Sequence, residues 1–195
     1  MIVPLFVSSE TGKKTAVLTP REKNLLYGHL KTDYRIRFDF LLYTHVRIAE
    51  GYWLVDHPEC FRKENGAIFL PNVEEIGKKR CTIKNRTIML TPAGVEAVEK
   101  FFKERVGLPR YQSMEEVLKR AGRDADFDVS YLVPKMWRKI WISWAMACFP
   151  DRMSQIQHSA GHNYATMQGH YITYGFRKDD KKDMELETKD WGIPV

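Results

Sequence analysis

Asn65-Gly66-Ala67-Ile68-Phe69-Leu70 and, further on, Arg86-Thr87-Ile88-Met89-Leu90-Thr91-Pro92 decide the fold class. Asn-Gly is a strong tight-turn dipeptide, because both residues tolerate positive φ. The short piece Ala67–Leu70 that follows reads as a strand. Two more strand-like pieces lie near Arg80–Lys84 and Arg86–Leu90, where Thr and Ile content and short length favour a small sheet over a helix. The basic run Lys78-Lys79-Arg80 leads into them, and Thr91-Pro92 then opens a helix extending to about Arg105. Helical sequence flanks this patch on both sides. Upstream, Leu18-Thr19-Pro20-Arg21-Glu22 is a capping box that announces a first helix, and a second, rich in Phe, Leu, Tyr and Trp, runs roughly from Arg35 to Leu54. Downstream, Ser113-Met114-Glu115-Glu116 is another capping box. Pro134 suits the first position of a helix that carries Trp137, Ile140, Trp141, Trp144 and Cys148. A short helix after Phe149-Pro150 is broken by Ser159-Ala160-Gly161, and a last one carries Tyr171. The pattern predicts an α+β chain, mainly α, with a small sheet.

A chain of 195 residues fits one domain. Apolar residues at 44% and aromatics at 12% suffice for a real core and exclude a disordered or fibrous chain. The net charge of +6 favours a polyanionic partner. Cys60, Cys81 and Cys148 are odd in number and far apart, so neither a disulfide framework nor a cysteine zinc site is expected, and a reducing cytoplasm fits best. The longest apolar run, Ile140–Phe149, is about half of the ~20 residues that span a bilayer. No basic residue precedes the apolar Met1–Val7, and no small-residue cleavage site follows it, which argues against a signal peptide. Residues 1–17 read as a linker or tail, 18–176 as the domain, and 177–195 as a charged, loosely held tail.

Two arginines stand out. Arg47 sits in Tyr43-Thr44-His45-Val46-Arg47-Ile48-Ala49-Glu50, near a core-facing stretch, and its ordinary structural role is an i,i+3 pair with Glu50. Arg138 lies between Trp137 and Ile140 in a helix whose other faces are Trp, Ile, Ala, Met and Cys. A charge there needs a partner, since burying it alone costs several kcal/mol. An internal carboxylate would serve, and so would an incoming phosphate, which the planar guanidinium fork suits. His158 and His162 are four apart with His170 beyond them. Ser159-Ala160-Gly161 separates the first two, however, and no acidic third ligand or cysteine stands near, so no metal site is expected. Ala160-Gly161-His162 lies at a helix junction with Tyr171 nine residues on, about two and a half turns.

Taken in order, Arg47 in Arg-Ile-Ala-Glu, a small basic sheet, Pro134-Lys135-Met136-Trp137-Arg138, Ala160-Gly161-His162 and Tyr171 resemble the catalytic domain of the tyrosine recombinases, the family of phage-type integrases and Xer-type resolvases. The resemblance covers about residues 18–176. The family's first arginine box reads roughly Thr-Gly-x-Arg-Ile-Ser-Glu, here Thr44-His45-Val46-Arg47-Ile48-Ala49-Glu50. Its second box, His-x-x-Arg after a frequent Pro, is here Lys135-Met136-Trp137-Arg138. Its third, Leu-Gly-His, is here Ala160-Gly161-His162, with the family's nucleophilic tyrosine nine residues later, at Tyr171. Lysine in place of the second-box histidine resembles integrases of archaeal viruses and plasmids. The hairpin lysine of the family falls best on Lys84, with Lys78, Lys79 and Arg86 close by.

The resemblance implies metal-free and cofactor-free phosphoryl transfer on double-stranded DNA. Tyr171 would attack the scissile phosphate, giving a 3′-phosphotyrosyl bond and a 5′-hydroxyl. Arg47, Arg138 and His162 would meet the charge of the phosphorane, Lys84 would protonate the leaving oxygen, and Lys135 would donate to the phosphate. The family works as a tetramer on DNA, and the isolated domain is expected to be monomeric, DNA-associated in the cytoplasm and without membrane contact. The family's separate N-terminal helical domain has no counterpart in the 17 or so residues before the first helix. Two other readings share the residues: a type IB topoisomerase-like enzyme, and a non-catalytic DNA-binding relative.

Overall fold

A computed structural model of the chain describes residues 6–10, 13–72, 85–161 and 175–192. In chain order the elements are β1 (Phe6–Glu10), β2 (Lys13–Val17), α1 (Pro20–Gly28), α2 (Thr32–Thr44), α3 (Ile48–Asp56), β3 (Phe61–Arg62), β4 (Ala67–Leu70), β5 (Arg86–Met89), α4 (Pro92–Lys103), α5 (Tyr111–Asp124), α6 (Met136–Cys148), α7 (Met153–Ala160) and α8 (Lys178–Glu187). The described residues are mainly helical. β3, β4 and β5 form a three-stranded antiparallel sheet, with Ile68 opposite Phe61 on one side and Ile88 on the other. β1 and β2 form a separate hairpin.

α6 is the centre of the molecule. Every residue from Met136 to Met146 is buried, including Arg138 and Lys139, as expected of a helix that is apolar almost all round. α2, β2, α7 and α8 pack against it. Phe38 of α2 stacks on Trp137 at 5.1 Å, and the Trp144 indole N–H donates to the Leu18 carbonyl at 2.9 Å. α4 lays Val95, Val98 and Phe101 inward at helical spacing, with Phe101 stacked on Phe40 at 4.1 Å. No helix among the described residues is long and apolar enough to cross a membrane.

Local signals and tertiary packing agree at several elements. Thr19 caps α1 in a full capping box with Glu22, β4 covers the expected Ala67–Leu70, and Thr91 caps α4 through the Gly94 N–H. Five expectations are corrected. The single helix from Arg35 to Leu54 is two, because His45 takes the left-handed conformation (φ 40°) and Arg47 is extended. Residues 1–17 are not simply a linker, since 6–10 pair with 13–17 and Thr15, Ala16 and Val17 are fully buried. The tail from Arg177 is not loosely held: α8 docks on α1 and α6, with Met184 and Trp191 fully buried. The helix assigned to Ser113 already begins at Tyr111, and Pro134 precedes α6 by two residues rather than opening it. The expected strand at Arg80–Lys84 and helix around Tyr171 lie outside the described residues.

Candidate active site

The site is built on the break between α2 and α3. Thr44 ends α2 by donating its hydroxyl to the Phe40 carbonyl at 2.6 Å. His45 then enters the left-handed region, which costs a residue with a Cβ roughly 1–2 kcal/mol. The chain turns out through Arg47, and α3 starts at Ile48. Arg47 has no acceptor with which to cap that helix. Glu50 supplies one in reverse, taking the Arg47 backbone N–H on Oε2 at 2.7 Å.

Glu50 is fully buried and is the hub of a charge network. Its Oε1 accepts from the Arg47 guanidinium at 2.8 Å and the Arg86 guanidinium at 2.9 Å. Its Oε2 accepts from Arg86 again at 2.7 Å, completing a two-pronged Arg86–carboxylate pair. Burial alone would raise the Glu50 carboxyl, but Arg86 and Arg47 overcome it and hold its pKa down to about 2. Arg86 is itself buried and spans further, donating Nε to the Ser159 carbonyl at 3.1 Å. The β5 strand therefore carries α3 and α7 through one side chain.

The last turn of α7 is where the cluster converges. Arg138, on α6, donates one terminal nitrogen to the His45 carbonyl and the other to the Ala160 carbonyl. Arg47 donates to the next carbonyl along, that of Gly161, at 3.1 Å. Gly161 ends the helix in the left-handed region (φ 63°), and a Cβ built there would sit 3.0–3.2 Å from the Arg86 side chain. Glycine is required both by conformation and by the close approach of that arginine.

Arg47 and Arg138 of the sequence analysis are thus brought together on neighbouring carbonyls, from helices far apart in the chain. The Arg47–Glu50 pair is present, and it coexists with a guanidinium whose side chain is 41% exposed. Arg138 is 8% exposed, and both of its terminal nitrogens donate to main-chain carbonyls. Lys135 lies at the N-cap of α6, half-buried, one turn before Arg138. Lys84, His162 and Tyr171 lie outside the described residues, as do Lys78, Lys79 and the two other tyrosines near Tyr171 in the sequence, Tyr164 and Tyr174. Gly161, the neighbour of His162 in the chain, is in the cluster.

Arg86 is the residue that sequence reasoning left at the margin, as a neighbour of Lys84. Two signals pointed to it. Alternation along Arg86-Thr87-Ile88-Met89 puts Arg86 on the face of Ile88, which is the buried face. Glu50, inside an apolar helix, also demanded a cation beyond its own turn. Buried and committed to Glu50, Arg86 is a structural cation and no competitor for an acid that reaches solvent-borne substrate.

No protein-family model, curated protein or solved structure matches the chain.

Proposed function

We propose that the chain is a tyrosine-recombinase catalytic domain, most similar to the integrases of archaeal viruses and plasmids, which cleaves and rejoins double-stranded DNA. The observation that carries the proposal is the convergence of Arg47 and Arg138 on the carbonyls of Ala160 and Gly161, directly before His162. Residues assigned to three separate boxes meet at one point, around a guanidinium that solvent reaches. A phosphate has the geometry and charge to dock on such a fork.

In the proposed reaction the Tyr171 phenol oxygen attacks the scissile phosphorus. Its proton passes to solvent water as the new P–O bond forms and the bond to the 5′-oxygen breaks. The leaving 5′-oxygen takes a proton from Lys84 and departs as a hydroxyl. Arg47, Arg138 and His162 stabilise the extra negative charge on the non-bridging oxygens, and Lys135 adds a donor. The 3′-phosphotyrosyl bond conserves the phosphodiester linkage, so the 5′-hydroxyl of another strand reverses the step without ATP. DNA affinity comes chiefly from phosphate contacts and falls steeply with salt.

A nicked suicide duplex tests this directly. The wild-type chain should form a covalent adduct that maps to Tyr171, and Tyr171→Phe should bind the duplex without forming one. Lys84→Ala should cleave poorly but be rescued by a 5′-bridging phosphorothiolate, whose sulfur leaves without protonation. An adduct mapping to Tyr174 would reassign the nucleophile, and no adduct on any duplex would overturn the proposal. Relaxation of supercoiled DNA without sequence preference would select the topoisomerase-like alternative.

A further inference from the structure

His45 sits inside this cluster, and the proposed reaction assigns its imidazole no chemistry. It is fully buried, left-handed at φ 40° and stacked on Trp141, with ring centroids 4.0 Å apart and planes 14° from parallel. Its Nδ1 lies 3.3 Å from the Tyr43 carbonyl and its Nε2 2.9 Å from the Ser159 hydroxyl. A carbonyl only accepts, so Nδ1 carries the proton and Nε2 is the acceptor. Ser159 therefore donates its hydroxyl hydrogen to Nε2, while its oxygen accepts the Met89 backbone N–H at 3.1 Å. Every polar atom of this chain of bonds is satisfied in one tautomer.

We infer that His45 is a positioning residue that clamps the last turn of α7 twice, through its imidazole to Ser159 and through its carbonyl to the Arg138–Ala160 bridge, and so sets the plane of the Arg138 guanidinium. The left-handed backbone is what allows both: it turns the carbonyl toward α6 while the ring reaches α7. In the direction described the bond uses an uncharged ring: a second ring proton on Nε2 would reverse it, making Ser159 Oγ accept from Nε2 as well as from the Met89 N–H. The charged groups that face it are Arg138 from α6 and Arg86 from β5. Burial first, then these two cations, push the His45 pKa well below the usual histidine range. Burial and neighbouring charge thus both favour the neutral ring.

The catalytic consequence rests on the recombinase proposal, and the geometry does not, so the test has two arms. His45→Gly keeps the left-handed backbone and removes the ring, and Ser159→Ala removes the other end of the link. Thermal melting of both full-length variants establishes that they fold. In the first arm, adduct formation at saturating nicked duplex should fall about 10- to 100-fold in each, the scale expected from a misplacement of about 1 Å. Duplex affinity should change less than about 3-fold, and the double variant should be no slower than the slower single. In the second arm, nitrogen NMR of wild type should show a neutral, Nδ1-protonated His45 ring from pH 5 to 8, and the Arg138 Nε–H signal should move to similar positions in both variants. A charged ring, or an unmoved Arg138 signal in folded variants, overturns the inference. So do unchanged adduct rates, or losses that multiply in the double variant. Absence of any wild-type adduct overturns the recombinase proposal instead and leaves the second arm to decide on the clamp.

Discussion

Replacing Glu50 with glutamine tests the hub of the cluster. Four donors reach its two oxygens: the Arg47 backbone and guanidinium, and two nitrogens of Arg86, at 2.7–2.9 Å. In Glu50→Gln one oxygen becomes an NH2 group that faces donors, and Arg86, 4% exposed, loses its counter-charge. Breaking a buried pair from one side costs about 3–5 kcal/mol, a large share of the ~5–15 kcal/mol of an ordinary domain. The pH dependence provides a sharper check. The folded Glu50 pKa is depressed to about 2 from an ordinary 4.5, so its contribution is fully present above about 4.5 and is lost as pH falls toward about 2. Over that window it amounts to roughly 3 kcal/mol, with a slope approaching ~1.4 kcal/mol per pH unit. Glutamine does not titrate. Urea unfolding of both proteins at several pH values between 6 and 2 should show the stability gap narrowing by about 3 kcal/mol. Other carboxylates titrate in both proteins and cancel in the difference. A variant destabilised by less than about 1 kcal/mol, or a gap independent of pH, would refute the assignment of Glu50 as a buried, ionised hub.

Gly161→Ala combines a left-handed backbone with a Cβ 3.0 Å from Arg86. It should cost about 2–3 kcal/mol in urea unfolding, and a loss no larger than that of an exposed surface alanine would contradict the close packing. Asp39 is raised to about 6, by burial first, with Tyr27 and Lys23 opposing and Glu187 adding. Its raised pKa favours the folded state below about pH 4, an advantage lost as pH rises through about 6. Asp39→Asn should therefore gain on wild type by up to ~3 kcal/mol between pH 4 and 8, read by denaturation at both ends, and an unchanged difference would refute it. Trp191, fully buried, edge-on to Trp141 at 5.4 Å and donating its indole N–H to Met89 at 2.8 Å, should cost about 3–5 kcal/mol as Trp191→Ala. A smaller loss by calorimetry would mean that the segment after α8 is dispensable to the core.

The residues themselves determined the class of architecture. Asn65-Gly66, the Thr-Ile-rich pieces and the caps at Thr19 and Thr91 act through bonds within a few residues, so the small sheet between helices was legible without knowing what packs on it. The assignment of Arg47 and Arg138 also rested on local anomaly: each is a charge in apolar surroundings. Tertiary structure alone decided the rest. No glycine or proline marks His45, and the helix breaks there because Trp141 and Arg138 of α6 and Ser159 of α7 hold its ring and carbonyl from two other elements. The polar composition after Arg177 hides a docked helix, since Lys23, 5% exposed, awaits Glu187 at 2.6 Å and the core has a place for Trp191. Arg86 was passed over for the same reason. A buried cation is identified by the carboxylate that neutralises it, and Glu50 lies 36 residues away in sequence, across a distance that no local pattern spans. Caps and turns are short-range and readable along the chain, whereas a left-handed histidine or a buried ion pair is stable only once distant groups have arrived to satisfy it.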